Sequence, residues 1–374
     1  MNSSPTDLPG VSVFMTVRDE ADHLARVVEQ VLAQDYPGPF EVVAAVGPSR
    51  DQTRAIAEDL ASRHPTLRLI DNPSGGIPQG LNLAWRATKH DYLVRVDGHA
   101  LLPPGYVRKA VELLDQTGAA NVGGMMVPEG VGPFQKAVAR AMSSPFGIGR
   151  VQFHTGGGPG PADTVYLGNF RRSDLEEVGG YDEALGRAED WDLNHRLAQA
   201  GKLVWFDPTL GVLYRPRDNW RALVRQFFST GRWRWQVVRH DPKTASPRYL
   251  AAPGATLAVG TGLIIGLAGL AKLAGAGART DRGQRKALRR RNSRRTDRIW
   301  VAALGLPALY AAGVTAAAAV SAGGLDGRAK RRLPLAIATM HLAWGSGFLR
   351  GMFDQPTRRP SADGDPSEVR GPRP

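Results

Sequence analysis

Short apolar runs rich in β-branched residues alternate with helical patterns over residues 11–97, and this alternation restricts the fold more than any other feature. The runs of strand length are Val11–Val17, Phe40–Val46, Leu67–Asp71 and Tyr92–Val96. Helical patterns lie between them at Asp22–Gln34, Ala55–Arg63 and Leu81–Thr88. This β-α-β-α-β-α-β order calls for a parallel sheet with right-handed crossovers. We therefore predict an α/β fold that begins with half of a doubly wound sheet, whose strand ends bind nucleotides.

The fourth of these strands runs into Asp97-Gly98-His99, which places a carboxylate and an imidazole two residues apart. Ligands bind at the carboxyl ends of strands in open α/β sheets, and a glycine lets the backbone come close to one. Such a pair could hold Mg²⁺ or Mn²⁺, which would bridge phosphate oxygens. A surface turn with the same three residues is the other interpretation, and the tripeptide alone does not decide between them.

The chain continues with further α/β elements after this turn. We predict a helix at Tyr106–Thr117, strands at Asn121–Pro128 and Thr164–Phe170, and a short helix at Leu175–Gly180. The segment Gly130–Gly160 is rich in Gly, Ser and Phe. Structureless loops of this length are uncommon unless they are functional. We therefore interpret this segment as a long functional loop or flap.

Acidic residues cluster around Trp191, just before a predicted helix at Asn194–Ala200. They are Glu189, Asp190 and Asp192. The macrodipole at a helix N-terminus favours ionised carboxylates, so capping alone would explain one acid. Three acids within four positions next to a tryptophan favour a functional site.

A predicted helix at Arg221–Trp235 interleaves aromatic residues with arginines. Its side chains include Gln226, Arg232, Trp233 and Trp235. They could stack on nucleic-acid bases, or stack on sugar rings and pair with a pyrophosphate. They could equally lie at a membrane interface. The pattern by itself leaves all three interpretations open.

Three long apolar segments follow, at Pro253–Ala276, Ile299–Leu325 and Leu333–Phe353. Each is close to the roughly 20 residues that span a bilayer, so we predict three membrane segments. If the first one spans, the basic segment Arg279–Arg298 lies outside, against the positive-inside rule. A re-entrant first segment removes that conflict but places Arg328–Arg332 outside. The sequence leaves this topology open.

Charge and composition narrow the function classes. The chain of 374 residues has a formal net charge of +13, and much of the excess lies in the two basic segments that flank apolar runs. This placement favours a membrane surface over nucleic acid. The chain has no cysteine, which excludes disulfides and thiolate zinc sites. We find no signal peptide in the polar first ten residues, so the region up to residue 245 is expected to be cytosolic.

The motifs together resemble the family 2 glycosyltransferases of the GT-A fold. The matching residues are Thr16-Val17-Arg18-Asp19-Glu20, Ser49-Arg50-Asp51-Gln52-Thr53, Asp97-Gly98-His99, Glu189-Asp190 and Gln226 with Arg232-Trp233. Within that family the chain is similar to bacterial exopolysaccharide enzymes of the succinoglycan glucosyltransferase type. The resemblance covers about residues 10–245, and it implies a mixed, mostly parallel sheet flanked by helices and followed by C-terminal transmembrane helices.

The resemblance also implies a division of the chain. Residues 1–9 would be a disordered N-terminus and residues 10–245 the glycosyltransferase domain. Within that domain, residues 10–100 would bind the nucleotide and residues 101–245 the acceptor. Residues 246–354 would form a membrane region with two or three apolar helices, and residues 355–374 a disordered tail. The protein would lie at a bacterial-type inner membrane with the catalytic domain facing the cytoplasm.

By the same resemblance, the site residues fall into four groups. Thr16, Arg18 and Glu20 would lie near the nucleotide, with Asp51 and Asn82 close to the base or ribose. Asp97 and His99 match the metal-binding DxD motif, and Asp97 also faces the nucleotide-sugar. Asp190 matches the catalytic base, and Glu189 would orient the acceptor or the base. The residues expected to contact the acceptor and the pyrophosphate are Trp191, Gln226, Arg232 and Trp233.

The activity implied is inverting transfer of a sugar, a UDP-linked hexose, from a nucleotide-diphosphate sugar to a lipid-linked or polysaccharide acceptor, with Mn²⁺ or Mg²⁺ as cofactor. The partners would be the donor, a polyprenyl-linked or glycan acceptor and membrane lipids, with no nucleic acid. A nucleotidyl or phosphoryl transferase is a competing interpretation, but the chain has no Walker-type phosphate loop. A non-catalytic nucleotide-sugar-binding or scaffold protein with a degenerate domain is the other alternative, because His99 ends the DxD motif and Gly47 stands where the family often has an aspartate.

Overall fold

The computed structural model describes residues 8–186, 188–277 and 300–355, which group into two compact units. Of the described residues, the first unit contains residues 8–124, 159–186, 188–210 and 353–355. The second contains Met125–Gly158 and Gly211–Met352. These divisions fall at other points than the domain boundaries predicted above, and that domain assignment stays a prediction.

The strands are named in chain order. They are β1 (Val11–Val17), β2 (Phe40–Val46), β3 (Leu67–Asp71), β4 (Tyr92–Arg95), β5 (Asn121–Gly124), β6 (Met126–Pro128), β7 (Gly160–Pro161), β8 (Tyr166–Arg171), β9 (Val204–Phe206) and β10 (Val212–Tyr214).

The helices are named in the same way. They are α1 (Leu24–Leu32), α2 (Thr53–Arg63), α3 (Ile77–Arg86), α4 (Tyr106–Thr117), α5 (Pro133–Met142), α6 (Pro145–Ile148), α7 (Gln152–Thr155), α8 (Arg172–Glu177), α9 (Glu189–Gln199), α10 (Trp220–His240), α11 (Ala251–Gly277), α12 (Gly305–Ser321) and α13 (Gly327–Gly351).

The first unit is built on an eight-stranded sheet in the order β3-β2-β1-β4-β8-β5-β9-β7. The first four strands in that order are parallel, as the alternating pattern predicted. Strand β8 runs antiparallel between β4 and β5, which makes the sheet mixed. The predicted mixed, mostly parallel sheet is confirmed. Because β1, β2 and β4 are parallel, the segments that follow them meet at one edge of the sheet.

Apolar side chains fill both faces of the central strands, as expected for a parallel sheet covered by helices. Val13, Phe14 and Met15 of β1 and Val42 and Val43 of β2 are fully buried. Helix α1 buries its apolar stripe, Leu24, Val27, Val28 and Val31, at helical spacing. The core therefore fixes β1 and β4 rigidly beneath the loops that carry the candidate site.

Several predicted boundaries move. Helix α9 begins at Glu189 rather than Asn194, so the acidic cluster lies inside the first turn of the helix. The predicted strand Asn121–Pro128 divides into β5 and β6, which belong to different sheets. Gly124 ends β5 where the backbone of Leu210 passes so closely that a β-carbon would collide with its carbonyl. This close passage explains the division.

The second unit is mainly helical, and it overturns the predicted loop at Gly130–Gly160. That segment contains α5, α6 and α7. The apolar residues of α5 recur at helical spacing and are buried in the core of the unit; they are Ala137, Val138, Ala141 and Met142. The prediction was wrong because the glycines and prolines around α5 masked this short periodic stretch.

Two helices among the described residues are long and apolar enough to cross a membrane. They cover Pro247–Lys272 and Trp300–Ser321, and most of their surface is exposed. The two pack against each other within the second unit, since Gly262 lies against Pro307 and Gly269 against Trp300. These helices confirm two of the three predicted membrane segments as candidates for spanning a bilayer.

The third predicted membrane segment, Leu333–Phe353, is corrected. It lies largely in α13, which buries one face among α10, α5 and the apolar helices. Leu333, Ile337 and Met340 of that face are at most 1% exposed. The helix begins with a run of basic residues. Among the described residues it is not one of the helices that are long and apolar enough to cross a membrane. Its apolar face therefore packs inside the second unit.

Candidate active site

The loops after β1 and β2 interlock at the carboxyl edge of the sheet. Asp51 accepts hydrogen bonds from the amides of Ala21 (3.0 Å) and Thr53 (3.0 Å) and from the Thr53 hydroxyl. These bonds lower the pKa of the Asp51 carboxyl, with the Thr53 hydroxyl as the largest cause. Asp51 thus holds the start of α2 against the segment that carries Glu20.

Glu20 contacts the Asp97-Gly98-His99 turn directly. Its Oε1 lies 2.7 Å from Nδ1 of His99, and both side chains are partly exposed. Gly98 makes this approach possible, since a β-carbon at that position would lie 3.0 Å from Cγ of Glu20 and 3.2 Å from Val17. The turn therefore needs glycine for close packing beneath a histidine whose orientation Glu20 sets.

Asp97 lies in a second ion-pair cluster, centred on Arg95 of β4. Nη2 of Arg95 is 3.0 Å from Oδ1 of Asp97 and 3.5 Å from Oε1 of Glu189, and Nη1 contacts Asp190. The ring of Tyr181 lies 5.6 Å from the guanidinium carbon. The arginine side chain is 3% exposed, Glu189 is 11% exposed and Asp190 is 31% exposed. The carboxylates of two distant motifs therefore share one buried cation.

A buried amide network fixes α9 to the sheet. Nδ2 of Asn121 donates to Oδ1 of Asn194 (2.6 Å), and Nδ2 of Asn194 donates to the Thr164 hydroxyl (3.0 Å). The backbone N–H of Asn169 donates to Oδ1 of Asn121 (3.0 Å). Asn194 lies about one turn after Asp190 on the helix, so the network sets how far that carboxylate stands from the sheet.

The first turn of α9 divides its acids between different partners. Asp192 pairs with Arg196 at 2.7 Å, an i,i+4 pair within the helix. Trp191 stacks on His195 with ring centroids 4.9 Å apart. Ala188, just before the helix, has φ of 67°, a left-handed conformation that non-glycine residues rarely adopt. Asp190 is thus held partly exposed, while Asp192 stabilises the helix itself.

The residues expected near the nucleotide line the same edge of the sheet. The Thr16 hydroxyl lies 3.3 Å from the carbonyl of Ala45, and Nη1 of Arg18 donates to the Gly75 carbonyl (3.3 Å). Asn82 is 2% exposed. Its Nδ2 donates to the backbone carbonyl of Tyr181, and its Oδ1 accepts from the backbone N–H of Tyr181. The side chain of Asn82 therefore ties α3 to the Tyr181 turn, and the nucleotide contact implied for it stays a prediction.

Gln226, Arg232 and Trp233 belong to the second unit, on α10. Nε2 of Gln226 donates to the Tyr214 hydroxyl (3.0 Å), and Arg232 is exposed. Gln226 and Arg232 are six positions apart on this one continuous helix, so their side chains point in directions about 120° apart around its axis. Their implied roles with acceptor and pyrophosphate stay predictions.

The residues fit a divalent ion as a two-donor site. Asp97 and His99 supply oxygen and nitrogen at the end of β4, partly exposed to solvent. The described part of the chain contains no group of three His, Cys, Asp or Glu residues that could hold a metal by itself. Mg²⁺ and Mn²⁺ sites of this kind are completed by substrate phosphates and water, so the donor set suits an ion that arrives with a diphosphate.

Arg95 was missed from the sequence. It lies between Val94 and Val96, in a run interpreted as a buried strand, so it was counted as an ordinary strand residue and not as a site residue. A charged residue inside a strand buried on both faces was the available signal, because buried charges are retained when they are paired.

Comparison with known proteins places the sequence among glycosyltransferases. Residues 12–179 match the family model described as glycosyl transferase family 2. The succinoglycan biosynthesis protein ExoA of Rhizobium meliloti is 29% identical over 344 residues, 90% of this chain and 93% of that protein. The beta-monoglucosyldiacylglycerol synthase of Synechocystis sp. is 26% identical over 63% of this chain and 51% of its own length.

A solved structure shares the fold. The mannosyltransferase PcManGT from Pyrobaculum calidifontis, in complex with GDP-Man and Mn²⁺, aligns with a TM-score of 0.53 and 20% identity, over 94% of this chain and 89% of that one. The family match begins at β1 and covers the Asp97 turn. Residues 12–179 are therefore similar to glycosyl transferase family 2, and the chain is a glycosyltransferase.

Proposed function

We propose that this glycosyltransferase moves a hexose from a UDP-sugar to a lipid-linked or polysaccharide acceptor, with inversion at the anomeric carbon, in the synthesis of a cell-surface glycan. Asp190 is the general base in this proposal, and Asp97 and His99 face the diphosphate of the donor. The similarity to a succinoglycan biosynthesis protein over nearly the whole chain supports the glycan role.

The observation that carries the proposal is the convergence of Asp97 and Asp190 on the guanidinium of Arg95. One carboxylate follows β4, and the other lies in the first turn of α9. A single displacement needs stabilisation of the departing diphosphate on one side of the sugar and a base on the other. Two carboxylates within reach of one side chain meet the requirement that both act on the same substrate.

The acid–base chemistry rests on the chain's own groups. The acceptor hydroxyl loses its proton to a carboxylate oxygen of Asp190 as its oxygen attacks the anomeric carbon. The bond from that carbon to the diphosphate oxygen breaks in the same step, which inverts the configuration. Glu189, nearly buried against Arg95, limits the movement of Asp190 and orients the acceptor.

Negative charge grows on the diphosphate as the bond breaks. A divalent ion held by Asp97 and His99 would neutralise that charge and act as a Lewis acid. Glu20 sets the orientation of the His99 ring through its bond to Nδ1. The presence of Mn²⁺ in the structure of PcManGT is consistent with this choice of cation.

The apolar helices support a membrane-bound enzyme. The pair at Pro247–Lys272 and Trp300–Ser321 exposes Ile264, Leu309 and Val320 at more than 70% each. Surfaces of that kind are stable in lipid rather than in water. We place the protein at the inner membrane with its catalytic unit on the cytoplasmic side, where nucleotide-sugars are available to it.

The experiment is nucleoside diphosphate release by the detergent-solubilised full chain with UDP-, GDP- and TDP-hexoses. It is run with Mn²⁺, with Mg²⁺ and with chelator, and a crude polyprenyl-linked glycan extract serves as acceptor. We expect release from a UDP-hexose that needs both the cation and the extract, and a product with inverted anomeric configuration by NMR. Release only from GDP- or TDP-sugars would overturn the donor assignment, and a retained configuration would overturn the mechanism.

Membrane association is tested separately by fractionation. We expect the protein to stay in the membrane pellet through washes with high salt and with alkaline carbonate. Release by high salt alone would overturn the membrane assignment, because it would mean that the basic residues hold the protein by charge, as in nucleic-acid binding.

A further inference from the structure

Arg95 is a buried charge in the middle of the first unit's sheet. Its neighbours in the chain, Val94 and Val96, are 1% and 0% exposed. Burying a guanidinium away from water is costly unless carboxylates and hydrogen bonds compensate for it. The carboxylates of Asp97, Glu189 and Asp190 do so here. Burial by itself lowers the pKa of Arg95, but the charges of Asp97, Tyr181 and Glu189 raise it above its usual value.

The cluster contains more negative charge than a structural ion pair needs. One carboxylate would neutralise the arginine, whereas three acidic side chains lie against it here, so the formal charges of these four residues sum to −2. Like charges held close together repel one another. Arg95 limits that repulsion, and the remaining excess equals the charge of one divalent cation.

The shape of the guanidinium accounts for an arginine at this position. Nη2 faces Asp97 and Glu189 while Nη1 faces Asp190, so the planar fork fixes the three acids in one arrangement. A lysine would carry the same charge at a single point, so it could not hold the acids at Nη2 and the acid at Nη1 at the same time. The β4 turn and the first turn of α9 are thereby tied through one side chain.

We propose that Arg95 is a positioning residue: its guanidinium holds Asp97 and Asp190 at a set separation and keeps the three carboxylates together before donor and cation bind. This inference rests on the proposed function, in which those two carboxylates serve the departing diphosphate and the acceptor hydroxyl. Arg95 itself contacts neither substrate in this proposal; it acts through the acids it pairs with.

The test compares Arg95→Lys and Arg95→Gln with the wild-type full chain in detergent. Arg172→Lys is the matched control, because this arginine of the same unit is 17% exposed and bonds to the carbonyl of His90 and the hydroxyl of Thr88. Melting temperature is measured with and without Mn²⁺, UDP affinity by titration calorimetry, and kcat and KM by nucleoside diphosphate release.

For Arg95→Lys we expect a melting temperature close to that of Arg172→Lys, unchanged UDP affinity and KM, and a kcat lower by about 100-fold, the cost of misplacing a reacting group by about 1 Å. For Arg95→Gln we expect a lower melting temperature that Mn²⁺ raises by more than it raises that of the wild type, since the cation replaces the lost charge. A merely structural arginine would give neither result.

A kcat of Arg95→Lys equal to that of Arg172→Lys overturns the positioning role. Equal Mn²⁺-dependent shifts in the wild type and Arg95→Gln overturn the charge argument, and if Arg95→Gln does not fold, the lysine variant decides. A wild type that releases no nucleoside diphosphate would count against the proposed function, while the Mn²⁺-dependent melting shifts would still judge the role of Arg95.

Discussion

Glu20 and His99 lie 79 positions apart in the chain, yet Oε1 of the one is 2.7 Å from Nδ1 of the other. The contact joins the loop after β1 to the turn after β4, two neighbouring parallel strands. A carboxylate on one nitrogen of an imidazole fixes the orientation of the ring and makes it a better ligand. In the proposed metal site, His99 therefore has a partner that fixes its ring and suits it to bind a cation.

Glu20→Ala tests this relationship. We expect the Mn²⁺ concentration for half-maximal activity to rise by about 10-fold or more, the usual cost of losing such a partner. Glu41→Ala is the control, because Glu41 is another largely buried carboxylate, near the start of β2 and thus toward the opposite edge of the sheet. A Mn²⁺ titration of nucleoside diphosphate release measures both, and equal shifts in the two variants would contradict the role of Glu20.

The first turn of α9 offers a matched pair of acids, Asp190 and Asp192. Asp190→Asn keeps the shape of the side chain but cannot take a proton, so we expect turnover to fall by about 100-fold or more with UDP affinity largely kept. Asp192→Asn loses the pair with Arg196, so it should lower the melting temperature and keep turnover. Calorimetry and product release distinguish them. Loss of UDP binding in Asp190→Asn would mean that this residue is structural or binds the metal.

Much of the first unit could be predicted because its signals are local. The bounds of β1, β2, β3 and α4 agree with the prediction to the residue, since each has a clear local apolar pattern. Strand β1 and most of β2 are buried on both faces, whereas β3 is only partly buried. The motif order then placed Asp97 and Asp190 in one site before any distance was known. The assigned roles of these residues stay predictions, although both carboxylates lie against Arg95 in the structure.

What could not be predicted depends on contacts between distant segments. The charge of Arg95 within an apolar run was a local signal, but its partners Glu189 and Asp190 are recognisable only once β4 is known to face the start of α9. The apolar run of α13 could not be told from a membrane span, because burial against α10 and immersion in lipid select the same side chains. Conversely, the glycines and prolines around α5 made a short buried helix look like a loop.

The apolar helices make a prediction about glycine packing. Gly262 and Gly266 of α11 are four residues apart and face the segment from Leu304 to Pro307, the small-residue spacing of packed membrane helices. A side chain at Gly266 would collide with Leu304, whereas nothing lies within 4 Å of a β-carbon at Gly260. We expect Gly266→Leu to lower the free energy of unfolding in detergent by about 1–3 kcal/mol and Gly260→Leu to leave it unchanged. The thermal stability of both variants is measured by heating followed by size-exclusion chromatography of the remaining folded protein. Equal stability of the two variants would mean that the two helices do not pack this way.

The buried His154 of α7 predicts how stability depends on pH. It is 6% exposed and its Nδ1 has no hydrogen-bond partner among the described residues, so burial lowers its pKa to about 4. An unfolded histidine titrates near about 6.5, so below that pH the unfolded chain takes up a proton that the folded chain refuses. Stability from this group is therefore complete above about pH 6.5 and is lost as the pH falls toward about 4.

The expected loss from His154 is about 2 kcal/mol at pH 5 and about 3 kcal/mol near pH 4, from 1.36 kcal/mol for each pKa unit. His154→Leu should abolish this part of the pH dependence, since leucine fills the site without a titrating group. His23→Leu is the control, because His23 is exposed and should leave the dependence unchanged. Denaturation midpoints of the three proteins at pH 7.5 and pH 5 make the comparison. If His154→Leu loses as much stability on acidification as the wild type, other groups govern the acid sensitivity of the second unit.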